Sequence, residues 1–168
     1  MPHGTSLRMG RLGYQSDAQS ALCVSYNCLD RYTASLHDAL VRPYPAYEAI
    51  CIHDGRGGYR QLSTSLLQIE NEFYSAIRPK RVIFPGERPL HALRERGVEY
   101  VEVRALDVSA FDPVGVNQNK LRFLEAFVAM CVLRDSQAVG QDEQDRLDHN
   151  HLVVARRGRE PGLVLDRD

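Results

Sequence analysis

Residues 97–107 read Gly97-Val98-Glu99-Tyr100-Val101-Glu102-Val103-Arg104-Ala105-Leu106-Asp107. A period of two sets Val98, Tyr100, Glu102 and Arg104 on one face, with Glu99, Val101 and Val103 on the other. Valine, tyrosine and a glycine start suit a β-strand. An acid and an arginine two residues apart on one strand face admit two readings. They form a solvated ion pair, worth roughly 0–1 kcal/mol, or they present charge to a ligand. Pattern alone favours the solvated face.

The segment that could share a sheet with this strand is Gln68 to Arg81. Ile69, Asn71 and Phe73 alternate with Gln68, Glu70, Glu72 and Tyr74, which suits a strand, although Leu66 to Glu72 also fits a helical turn. Arg78-Pro79-Lys80-Arg81 is compact and basic; Pro79 places it at an edge, bulge or strand end. Paired, the two segments would set Glu102 and Arg104 against Tyr74, Arg78 and Lys80. On a partly dry face a carboxylate can hold a divalent cation, and an arginine can grip phosphate or carboxylate with two hydrogen bonds. Such a set suits phosphoryl transfer, where positioning and charge neutralisation do most of the catalysis.

The chain has 168 residues, enough for a single domain with a core. With 43% hydrophobic and 26% charged residues it is globular. A formal net charge of -1 gives no global field toward nucleic acid or an anionic membrane. No apolar run reaches the roughly 20 residues of a membrane helix, and MPHGTSLRMGRLGY lacks a signal-peptide core. A cytoplasmic protein with no nucleic-acid or membrane partner is expected. Cys23, Cys28, Cys51 and Cys131 form no CxxC pair and read as reduced core residues.

Further along the chain, Asn27 is expected to cap a helix over 28–41, ended by Pro43 and Pro45. Ala49-Ile50-Cys51-Ile52 reads as a strand, Asp54 to Gly58 as a turn, and Tyr59 to Leu62 as the returning strand of a hairpin. The GRGG run matches neither the Walker pattern nor GxGxxG. Pro89 to Arg96 reads as a short helix stopped by Gly97. Lys120 to Leu133 is the clearest helix, with Leu121, Leu124, Phe127, Val128, Cys131 and Val132 on one face. Residues 135–148 read as polar and mobile. His149 and His151 would point together only on a strand, and no neighbour completes a metal set. No GxSxG supports a serine hydrolase.

Taken in order, several long segments carry a resemblance. They are Thr5-Ser6-Leu7-Arg8-Met9, Leu12-Gly13-Tyr14, Leu67 through Tyr74, Ile77-Arg78-Pro79-Lys80-Arg81 and Gly97 through Asp107. Gln19-Ser20-Ala21-Leu22, Ser25-Tyr26-Asn27, Arg122-Phe123-Leu124, Gly158-Arg159 and Pro161-Gly162-Leu163 support them. Together they resemble the proteobacterial glutamate–cysteine ligases over nearly the whole chain. Those enzymes are considerably longer and carry an N-terminal part with acidic metal ligands that nothing here supplies. The chain therefore resembles a central to C-terminal fragment, expected to be inactive alone, and Met1 is expected to start a gene fragment.

The resemblance implies an α+β fold, an antiparallel sheet with packed helices, part of a glutamine-synthetase-like catalytic fold. It implies that ATP phosphorylates the γ-carboxylate of glutamate and that cysteine attacks the acyl phosphate, giving γ-glutamylcysteine, the first step of glutathione synthesis, with Mg2+ as cofactor. By position, Glu102 matches a magnesium ligand and Arg104 an arginine on the transferred phosphoryl group. Arg8, Tyr14 and Tyr74 match the cysteine pocket, and Arg78 and Lys80 are assigned a phosphate-side role. The rival expectation is a non-catalytic module that grips a small anion through Arg8, Arg78 and Arg104. Strands that lack partners also predict self-association.

Overall fold

The computed structural model describes residues 2–13, 16–20 and 22–166. They group into two compact units, residues 11–105 and residues 1–10 with 106–168.

In the first unit, helix α1 (Leu29–Val41) buries Tyr32, Thr33, Leu36 and Ala39, a helical stripe of one face. The expected cap is displaced by one residue. Cys28 takes the N-cap position and its side chain makes no capping bond, so Asn27 does not serve. The far end is satisfied by a returning segment: Leu67 N–H donates to Ala39 O at 2.9 Å and Leu66 N–H to Arg42 O at 2.9 Å. Leu67, fully buried, seals this end of the core.

Residues 45–50, whose apolar end reads as a strand, form helix α2 (Pro45–Ile50). Proline at the first helical position is pre-set for helix and outweighs the short β-like run Ala49–Ile52. The glycine turn that follows is as expected. Gly55 and Gly57 take φ of 76° and 90°, and the Asp54 carboxylate accepts from Arg56 N–H at 2.7 Å and Gly58 N–H at 2.9 Å. Its hairpin shrinks to one isolated bridge, His53 to Tyr59. Of the two readings of Leu66 to Glu72, the helical one holds: Glu70–Glu72 is a 3-10 turn.

Strands β1 (Ile77–Lys80) and β2 (Tyr100–Val103) pair antiparallel. Helix α3 (Pro89–Arg96) joins them, with proline at its start and Gly97 at φ 74° as its C-cap, as the sequence predicts. Val24, Tyr32, Leu36, Leu66, Leu67, Phe73, Leu90 and Leu93 form the core, where α1 packs on α3.

The second unit holds α4 (Gln118–Leu133) and α5 (Gln141–Arg157). Asn117 caps α4 by accepting from Lys120 N–H at 3.0 Å. The expected core face of α4 is not buried: none of its residues is, and Leu133 is 85% exposed. The polar stretch read as mobile is helical from Gln141 onward, with Asp142 and Glu143 in its first turn and Arg156 and Arg157 in its last. That charge order complements the helix dipole. The N-terminal segment is tied to α5 by Thr5 and Ser6 N–H groups, which donate to Ala155 O at 3.0 and 3.2 Å.

Candidate functional site

The antiparallel register decides which side chains meet. Arg78 lies opposite Glu102 and Lys80 opposite Tyr100. Directly opposed residues share a face, so these four line one side of the sheet. Ile77, Pro79, Val101 and Val103 take the other side. Lys80 Nζ lies 3.9 Å from Glu102 Oε2 across the diagonal. Arg104 N–H donates to Ala76 O at 2.8 Å, carrying the ladder one step past β2. Val101 is 43% exposed and does not anchor the strand in the core.

Tyr74, just before β1, is held by its backbone. Its N–H donates to Gln19 Oε1 at 2.9 Å, while Gln19 Nε2 donates to Glu72 O at 3.1 Å. Gln19 is 8% exposed, and its amide is used at both ends. No sequence signal marks this clamp, because its partners lie more than fifty positions away. Around it, Glu72 Oε2 accepts from Gln68 N–H at 2.6 Å. Burial chiefly, together with the charge of Glu72 and the neighbouring Tyr44 and Tyr74, raises the Tyr47 phenol above its ordinary pKa.

A cavity of about 340 Å³ opens against the charged face, lined by Tyr32, Phe73, Arg78, Lys80, Arg81 and Tyr100 among others. Burial drives the Tyr32 phenol upward, and neighbouring Tyr26 adds to it; the positive charge of Arg78 opposes both. Arg81, which the sequence reading passed over within its basic cluster, donates to Arg96 O at 2.8 Å at the end of α3 and lies 3.4 Å from Glu99. A further pair braces the loop between β1 and α3. Arg96 binds Glu87 at 2.5 and 2.8 Å and stacks over Phe84 at 4.4 Å. The Arg96 hydrogen bonds, then the Phe84 N–H, pull the Glu87 carboxyl down to about 2.

Arg8 belongs to the other unit. There the Asp107 carboxylate accepts from Leu7 N–H at 3.1 Å, Arg8 N–H at 2.9 Å and the Ser6 hydroxyl. Burial alone would raise the Asp107 pKa, but these donors outweigh it and the net shift is downward. Asp107 thus sets the loop that carries Arg8, a role the strand pattern does not reveal. Tyr14 lies outside the described residues.

Magnesium takes an octahedral set of oxygens. Among the described residues no group of three or more acids, histidines or cysteines could hold a metal. Glu102 is of the right kind to supply one ligand, but these residues alone do not make the site. The two histidines of α5 fall at i and i+2 on a helix, where they diverge.

A model of the glutamate-cysteine ligase family matches residues 1–154. The chain belongs to this family. It is 51% identical over all 168 residues to the glutamate–cysteine ligase of Pseudomonas syringae pv. syringae, covering 31% of that protein. The glutamate–cysteine ligase of Pseudomonas putida strain W619 is 52% identical over the whole chain, which covers 32% of it. The chain thus spans about a third of the length of these relatives. The crystal structure of the Francisella tularensis ligase in complex with AMP superposes with a TM-score of 0.89 and 42% identity, over 98% of this chain and 32% of that one. The α+β class, with an antiparallel sheet and packed helices, is the observed one, and the expected place within a glutamine-synthetase-like ligase fold agrees with that superposition. A bifunctional glutathione synthetase from Pasteurella multocida shares the fold at TM-score 0.61 and 21% identity. Among the described residues no helix is long and apolar enough to cross a membrane.

Proposed function

We propose that this chain is the part of a glutamate–cysteine ligase that supplies one wall of the phosphoryl-transfer site. The whole enzyme would join the γ-carboxylate of glutamate to cysteine at the expense of ATP, in the cytoplasm. The observation that carries the reading is the 51% identity to such a ligase over all 168 residues, which cover 31% of that protein. The superposition on an AMP-bound relative supports it.

Within that reading Glu102 gives one carboxylate to magnesium, whose remaining ligands lie in the rest of the enzyme. The metal would neutralise charge on the transferred phosphoryl group. Arg104 holds that group's oxygens, with Arg78 and Lys80 on the phosphate side. Arg8 carries a guanidinium suited to a carboxylate such as that of cysteine, and Tyr14 and Tyr74, in the other unit, carry hydroxyls on apolar rings. The register supports grouping Arg78, Lys80 and Glu102, since it sets all three on one sheet face.

With one candidate acid and no metal cluster among the described residues, the chain alone should not turn over. The test is phosphate release from ATP with glutamate, cysteine and Mg2+, measured for the chain alone and with the complementary two thirds of a relative. Turnover only in the mixture is expected, and its loss on Arg104→Ala. Ordinary turnover by the chain alone refutes the reading.

A further inference from the structure

Arg78 carries a charge that the described residues do not answer. It is 5% exposed. Its Nη2 donates to Asn71 O at 3.1 Å, and its guanidinium carbon lies 5.9 Å from the centre of the Phe73 ring. Its Nε is buried without a hydrogen-bond partner. Glu102, directly opposite in the ladder, pairs with Lys80 instead. A guanidinium cannot shed its proton to escape burial. An unpaired buried cation with an orphaned donor is costly, and a bound anion is one arrangement that offsets that cost.

The cavity supplies the room. Arg78 shares it with Lys80 and Arg81, against walls of Tyr32, Phe73 and Leu93. The two accompanying cations are half-buried and already paired, Lys80 with Glu102 and Arg81 with Glu99. Arg78 is therefore the unanswered charge, and the pairs beside it hold the walls in place.

We propose that this cavity is an oxyanion site, in which a phosphate or carboxylate group accepts a charge-assisted hydrogen bond from the Arg78 guanidinium. Apolar and aromatic walls strengthen such a bond by excluding water. Two sources offer this chemistry: a free or transferred phosphate, or a carboxylate side chain from the remainder of the ligase. The inference deepens the phosphate-side reading of Arg78 and Lys80. It rests on that reading only for which anion arrives. Anion binding measured without metal or nucleotide reports on the cavity alone, whereas phosphate release from the combined enzyme reports on the reaction.

The experiment titrates the full chain with inorganic phosphate, and separately with acetate, at constant ionic strength held by chloride. The readouts are the NMR signal of Arg78 Nε–H and calorimetry. A saturable shift of that signal with phosphate, weakened about tenfold or more by Arg78→Met as expected for loss of a charge-assisted bond, supports a phosphate site. An equal response to acetate supports a carboxylate site. Should Arg78→Met fail to fold, the wild-type signal still decides, and Lys80→Met should weaken binding less. No saturable shift with either anion, or shifts spread evenly over surface residues, overturns the proposal.

Discussion

Replacing Gln19 by leucine tests whether a single amide holds the Tyr74 segment. Leucine keeps much of the volume but removes the donor to Glu72 O and the acceptor for Tyr74 N–H, two bonds of 3.1 and 2.9 Å. Leaving a buried polar group unsatisfied costs about 1–3 kcal/mol. Glu72 and Tyr74 are half-buried, so water recovers part of that. A net loss of about 2–3 kcal/mol follows. With a urea dependence of about 1–3 kcal/mol/M for small proteins, the unfolding midpoint should fall by about 1–2 M. Amide exchange gives the local readout. A loosening of about 2 kcal/mol should speed exchange at Tyr74 N–H about thirtyfold, while core amides such as Leu67 change only by the global loss. Gln19→Glu keeps the acceptor and should restore part of the Tyr74 protection. A leucine variant within about 0.3 M of the wild-type midpoint, with Tyr74 exchange unchanged, would refute the clamp.

Glu87 gives a pH prediction. Its folded pKa is lowered from 4.5 to about 2 by Arg96, so its contribution is fully present above the unfolded value and is lost as pH falls through about 2. Urea midpoints of wild type and Glu87→Gln should therefore differ at pH 6, narrow as pH falls toward 2 and converge below it; a constant gap would show that the pair does not act through charge. Among the described residues each of the two strands leaves an edge unpaired, and Ile77, Tyr100 and Val101 are exposed on them. Light scattering should show concentration-dependent dimers or larger species, and a monomer at every concentration would count against edge pairing.

Features governed by neighbours in the chain were legible in the sequence. Pro89 and Gly97 bound α3 because proline pre-sets the first turn and glycine tolerates φ 74°. Lys120 to Leu133 is helical, as its period indicates, although the structure starts the helix earlier, at Gln118 after the Asn117 cap. The strand period of Tyr100–Val103 and the Asp54–Gly58 turn follow the same logic, and long spaced segments identify the family. Local rules failed where two of them competed. At 45–50 a proline-initiated helix took in the first half of the expected strand Ala49–Ile52, and at 141–148 a charge-ordered helix replaced an expected loop.

Tertiary structure alone decided what meets across the chain. Periodicity puts Glu102 and Arg104 on one side of a strand, but only the antiparallel register sets Arg78 opposite Glu102 and gives that glutamate to Lys80. The burial of Arg78, the reach of Gln19 to residues 72 and 74, and the uncovered face of α4 have no local signature. The physical reason is the same in each case. Helix caps, turns and strand periods depend on a few adjacent dihedrals, whereas burial and charge pairing depend on which distant segments close on one another.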